Sequence, residues 1–168
     1  SGTDMDITER KQAEIELHRQ RQFLHQVIDS TPALIFARDR AGHFTLVNQA
    51  TAQVYGATVE HVLGKTDDQL HLDEQKAAEI RQQDQQVLET GVEMVIPERH
   101  IRDAQGHSRY FTIVKRPLFA ADGSADQVLV VATDITERKQ MELELQRINA
   151  SLQQQALNDA LTGLHNRR

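Results

Sequence analysis

Hydrophobic positions along this chain change period several times, and each change marks an element. Residues 8–28 contain no Gly or Pro and are rich in Glu, Gln, Arg and Leu, which predicts a helix. Thr31-Pro32 stops it, because the residue before a proline avoids the α region. Residues 33–37 are an apolar run of strand length, 39–42 (Asp-Arg-Ala-Gly) a turn, and 43–47 a second strand, together a hairpin. Asn48 is placed to cap a short helix that reaches Tyr55 and ends at Gly56. From 57 to 72 the pattern breaks into short helical turns around 58–61 and 66–69. Residues 73–89 then predict a longer helix closed at Thr90-Gly91. Three strands follow, at 92–101, at 108–119 and in a run ending at Asp134, with turns at 103–106 and 121–124. Two strands, small helices, one longer helix and three strands make an antiparallel α+β domain.

After the last strand the period changes once more. Met141, Leu145, Ile148 and Leu152 fall at steps of four, three and four, a heptad seam. The junction carries the string DITERK at 134–139, and the same string stands at 6–11. Laying residues 6–20 over 134–148 gives eleven identities in fifteen, an internal repeat too long in period for a solenoid. It reads as one domain plus its exit helix, with the exit motif of a preceding domain in front. Asp134 is placed to cap the helix and Glu137 to reach back as in a capping box. No Gly or Pro separates strand from helix, so Thr133, Asp134, Thr136 and Glu137 are the candidate residues for transmitting a shift in the sheet. Leu17 and Leu24 occupy the matching seam positions of the first copy. A solvated surface helix is the plainer reading; a pattern that occurs twice favours a partner helix and a homodimer.

Composition narrows the chemistry. The 168 residues carry a formal charge of −6 with no Lys/Arg-rich run and no Trp, which argues against nucleic acid as a partner. With no Cys there are no disulfides, thiolate nucleophiles or Cys-type metal sites. No apolar stretch has the length of a membrane span and no secretory signal pattern stands at the start, so a cytoplasmic location is expected.

The ordered short motifs carry a family resemblance. Asp39-Arg-Ala-Gly42, Val47-Asn48, Tyr55-Gly56, Gly64-Lys-Thr66, Val87-Leu-Glu-Thr-Gly91, Lys115-Arg-Pro-Leu118, Asp122-Gly123 and the closing Thr133-Asp-Ile-Thr-Glu-Arg-Lys139 resemble the PAS sensor fold, over about residues 23–139. The resemblance implies a five-stranded antiparallel sheet with small helices over one face and long helices at both ends. It also implies a domain that senses a small ligand, cofactor or partner and signals along its terminal helix. At the C-terminus, Asn158-Asp-Ala-Leu-Thr-Gly-Leu-His-Asn-Arg167 is similar to the opening of GGDEF domains, the diguanylate cyclases of bacterial cyclic di-GMP signalling. Asn158 stands where those domains usually have His, and His165 where they often have Pro. The expected organisation is therefore 1–28 exit motif and N-terminal signalling helix, 29–134 PAS domain, 135–157 signalling helix, and 158–168 the start of a cyclase. No catalytic residue is expected within these 168 residues.

Candidate sites follow from strand parity and the resemblance together. Inward positions predict a pocket lined by Ile35, Val47, Tyr55, Leu63, Leu70, Leu88, Met94, Ile96, Phe111, Ile113 and Val130, apolar and suited to a hydrophobic or planar ligand. Plain core packing is the competing fate of each. No cofactor is evident. Of the eight His, His71 stands where some haem-binding PAS domains hold iron, with His61 in the same region, and a hydrogen-bonded surface His is the commoner explanation. Non-covalent flavin stays open, whereas LOV-type photochemistry needs a cysteine and is excluded. Asp67-Asp68 and Asp73-Glu74 sit near helix starts, where the helix dipole favours acids, so capping explains them better than acid–base chemistry. The resulting expectation is a sensory module that binds a small molecule, dimerises and drives a cyclase. The alternative is a ligand-free dimerisation and spacer domain.

Overall fold

The computed structural model describes residues 2–70 and 73–166, with side chains described for 6–70 and 73–163. In chain order the elements are α1 (Gly2–Asp29), β1 (Leu34–Asp39), β2 (Phe44–Val47), α2 (Gln49–Tyr55), α3 (Val59–Val62), a 3-10 turn (Asp68–Leu70), α4 (Glu74–Thr90), β3 (Met94–Arg102), β4 (Ser108–Phe119), β5 (Ala125–Asp134) and α5 (Thr136–Asn166). Two compact units result, residues 1–134 and 135–168.

In the first unit the five strands form one antiparallel sheet in the order β2-β1-β5-β4-β3. The last strand in sequence is the central one, bonded to β1 on one side and β4 on the other. The expected α+β class and strand count hold. Helices α2, α3 and α4 lie in the single crossover from β2 at one edge to β3 at the other, so they cover one face. That face is built by strict alternation: Leu34, Phe36 and Arg38 on β1, Phe111, Ile113 and Lys115 on β4, and Val128, Val130 and Ala132 on β5 are all buried. The opposite face is only half covered at Ile35, Val114, Leu129 and Val131.

The local signals act as expected at most boundaries. Asn48 caps α2 by accepting from the Thr51 amide, and Gly56 ends it at φ 68°. A Cβ on Gly56 would come within 2.6 Å of the Ala104 Cβ, because the β3–β4 turn folds onto α2 and the Ala104 amide donates to the Val54 carbonyl. Thr58 caps α3 and Asp73 caps α4, while Gly91 closes α4 at φ 67°.

The two long helices differ from expectation. α1 begins at Gly2, so the DITERK copy at 6–11 is interior to a helix rather than at its cap. α5 runs on to Asn166, through the residues that resemble the opening of a GGDEF domain.

Asn48 joins three elements. Its amide nitrogen donates to the Ile28 and Ala33 carbonyls at 2.8 Å each, and its Oδ1 accepts from the Ile35 and Thr51 amides. The side chain is fully buried, so Asn48→Ala strands several buried partners at once. The expected loss is at least about 2 kcal/mol in urea unfolding; a loss under about 0.5 kcal/mol would show that other groups or water replace the amide.

Candidate functional site

Between the covered face of the sheet and α4 lies a cavity of about 520 Å³. Its floor is Leu34 and Phe36 of β1, Phe111 and Ile113 of β4, and Val130 and Ala132 of β5. Val54 and Tyr55 of α2, Leu70, and Lys76, Glu79 and Ile80 of α4 form the walls. The mouth is the end of β3 with the following turn, from Arg99 to Ala104.

At one end the lining is ionic. The Arg38 Nε donates to Asp84 Oδ2 at 2.7 Å, and its Nη2 to Oδ1 at 3.3 Å. Lys115 Nζ donates to the same Oδ1 at 2.7 Å. Arg38 also stands 3.5 Å from Asp67, to which the Tyr55 hydroxyl donates. Arg38 rests over the rings of Phe36 and Phe44, with its guanidinium 5.0 and 5.4 Å from their centroids. Arg38, Lys115, Asp84 and Asp67 are all buried.

Burial depresses the Lys115 ammonium, against the pull of Asp84, to about 8. Burial would raise the Asp84 carboxyl, but Arg38, then Lys115, outweigh it and hold Asp84 below the ordinary carboxylate range. Asp67 goes the other way, because burial exceeds what Arg38 returns to it.

The structure sorts the predicted lining residues. Tyr55, Leu70, Phe111, Ile113 and Val130 face the cavity. Ile35 has the wrong parity on β1 and lies on the outer face. Val47 is buried in the core at the end of β2, and Leu63, after α3, is exposed. Leu88 points to a separate groove formed with the β1–β2 turn. Met94 and Ile96 face the core, but the ladder shifts between Ile96 and Arg99. That bulge at Pro97-Glu98 resets the parity of β3 and turns Arg99 and Ile101 inward at the cavity mouth.

The lining is not apolar throughout, because Arg38, Lys115 and Arg99 also line the cavity. Asp67, read from sequence as a helix-start acid, is instead a buried partner of Arg38 and Tyr55. A signal for these residues was present. Arg38 continues the parity of Leu34 and Phe36, Lys115 that of Phe111 and Ile113, and Asp84 lies on the Ala77, Ile80, Val87 stripe of α4.

Of the candidate transmission residues, Thr133 and Asp134 end β5 opposite Thr112 and Phe111. The Asp134 carboxylate accepts from Arg109 Nε and Nη2 at 3.0 and 2.7 Å. Arg109 in turn lies 5.1 Å over the ring of Phe111, a cavity residue. Thr136 opens α5 and Glu137 follows it in the first turn, exposed. Leu17 and Leu24 on α1, and Met141, Leu145, Ile148 and Leu152 on α5, are all exposed. His71 lies outside the described residues.

Removing one member of the buried cluster leaves the others uncompensated. Asp84→Asn is expected to cost about 3–5 kcal/mol at pH 7. The sign with pH follows from the lowered carboxyl: its stabilisation is complete above the ordinary aspartate value of about 4 and fades as pH falls through the lower folded-state value. Urea titrations of both proteins from pH 7 to 3 are therefore expected to show a gap that is constant down to about pH 4 and narrows below it. A gap that stays constant throughout would contradict this.

The sequence from 28 to 140 matches the family model described as PAS fold. A diguanylate cyclase of Vibrio cholerae is 33% identical over 156 residues, covering 91% of this chain and 46% of that protein. The probable diguanylate cyclase DgcE of Escherichia coli is 30% identical over 171 residues, covering 99% of this chain and 14% of that protein. This chain thus spans less than half the length of these relatives. The PAS domain of BvgS from Bordetella pertussis superposes with a TM-score of 0.60 at 26% identity, over 79% of this chain and 98% of that domain. Five antiparallel strands in this order, helices on one face over a cavity, and the matched family model together show that the chain belongs to the PAS family.

Proposed function

We propose that this chain is the sensory module of a longer signalling protein, in which a small molecule held in the cavity controls a diguanylate cyclase through α5. The observation that carries the reading is the cavity itself, floored by the two strands that lead to the Arg109–Asp134 pair. A molecule bearing on Phe111 or Val130 presses on the ladder of β4 with β5 and on the cation stacked over Phe111. Two arrangements of that contact, populated differently with and without ligand, are the bistable element that switching requires. Support for the cyclase output is the Vibrio relative, whose name states that activity, together with the GGDEF-like residues 158–167.

On this reading α5 pairs with α5 of a second copy. The exposed stripe of Met141, Leu145, Ile148 and Leu152 supports that, as does its echo in Leu17 and Leu24 of α1. The same stripe favours a second reading, a spacer that dimerises with its cavity empty. Mass spectrometry of the native protein separates the two: a bound small molecule supports sensing, and a bare chain supports the spacer.

Two further outcomes are expected. The double variant Leu145→Gln, Leu152→Gln weakens self-association by at least about tenfold in sedimentation, since each lost core leucine of a helix pair costs on the order of 1–2 kcal/mol. A monomeric parent chain at high micromolar concentration would refute the pairing. In the full-length protein, Arg109→Gln leaves ligand affinity within about twofold but removes the effect of ligand on cyclase rate, because coupling and binding are separate free energies. Undiminished regulation would rule out this route.

A further inference from the structure

The cavity is more cationic than its chain. The protein carries −6, yet the side chains that face the cavity include Arg38, Lys76, Arg99 and Lys115 against Glu79 and Asp103. Counting Asp84 and Asp67, which pair with Arg38 from behind, brings the balance to neutral within a chain that is strongly acidic.

Two of these cations have donors to spare. The Lys115 ammonium has three N–H bonds and, among the described residues, one acceptor, Asp84 Oδ1. Its side chain is 1% exposed, so a ligand in the cavity gains the ammonium only by displacing what packs over it. Arg99 directs Nη2 to Gln83 Oε1 at 2.8 Å and stands 3.9 Å from Glu79, while its Nε and Nη1 have no acceptor among the described residues. The bulge at Pro97-Glu98 is what aims Arg99 inward: without it, residue 98 would hold that place and Arg99 would face solvent. Beside these groups the same sheet face offers a plain apolar floor of Leu34, Phe36, Ile113, Val130 and Ala132.

Such a lining discriminates. A neutral hydrocarbon leaves the spare N–H groups of Lys115 and Arg99 without acceptors, a cost that polar burial makes large. A dianion meets Asp84 and Glu79 beside the same cations. A monoanion with delocalised charge satisfies both cations, and the size of the cavity leaves room for an apolar body behind it.

We propose that the cavity takes a small organic acid, its carboxylate seated between Lys115 and Arg99 and its ring or short acyl chain on the apolar floor. This inference rests on the ligand-binding reading above and narrows it to a chemical class.

The test is calorimetry and thermal unfolding of the chain with matched probes, indole-3-acetate and hexanoate against indole-3-acetamide and hexanamide. At least one acid is expected to bind and raise the melting temperature, with its amide at least about tenfold weaker. Arg99→Gln and Lys115→Met are each expected to weaken that acid at least about tenfold, and Arg116→Gln, on the outward side of β4, to leave it unchanged. Arg99→Gln keeps the test valid if Lys115→Met fails to fold, since Arg99 is only half-buried. Equal binding of acid and amide, or acid binding indifferent to Arg99→Gln, overturns the anion seat and leaves the cavity reading standing. Failure of every acid overturns the proposal; if the native protein also carries no small molecule by mass spectrometry, the ligand-binding reading fails with it.

Discussion

The structure depends on one carboxylate. Asp84 sits on the buried stripe of α4 and receives hydrogen bonds from Arg38 on β1 and Lys115 on β4. Those strands flank the central β5, so the helix is tied to the sheet across three strands at once. With Asp67 beside Arg38, four charges leave water at several kcal/mol per ion, and only close geometry with every charge matched offsets that. The contact is directional, unlike the packing of Ala77 and Val87 on the same helix, and it sets how near α4 approaches the sheet. An apolar residue at position 84 would let the helix settle onto Phe36, Ile113 and Val130. The ion pairs hold it away, and the space left is the cavity.

Placing the last strand at the centre has a functional consequence. β5 contributes Val130 and Ala132 to the cavity floor and ends two residues after Ala132, at Asp134, where Arg109 grips it. An edge strand could shift alone, but β5 moves only with β1 or β4, which share its hydrogen bonds. On the proposed reading this makes the sheet a stiff lever: a small molecule acts on the floor, and the response appears where β5 gives way to α5. The Phe111–Arg109–Asp134 contact lies along that line and is built of polarisable, exchangeable interactions rather than close packing.

Most of the fold could be read from local chemistry. Asn48, Thr58 and Asp73 mark helix starts, Gly56 and Gly91 mark helix ends, and the β4 boundaries at Ser108 and Phe119 match expectation. These are short-range effects, set by residues within a turn of one another. The site was harder because it is made by exceptions to hydrophobic parity. Arg38, Asp84 and Lys115 occupy inward positions that parity reserves for apolar side chains, and each is tolerable only because the other two are there, from elements 31 and 46 residues apart. No single segment reveals that compensation. β1 is apolar on both faces, so its pattern does not assign Ile35 a side, and the bulge that turns Arg99 inward depends on pairing with β4.

The measurement that bears most directly on this account is a double-mutant cycle between α4 and the sheet. It uses Asp84→Asn, Lys115→Met and the pair, each followed by urea unfolding. If Asp84 braces the helix against β4, the two losses will fall short of additive by at least about 1.5 kcal/mol, the coupling of a close, buried charge pair. Additive losses would mean that the two side chains do not act on one another, and that something other than this ion pair holds the cavity open.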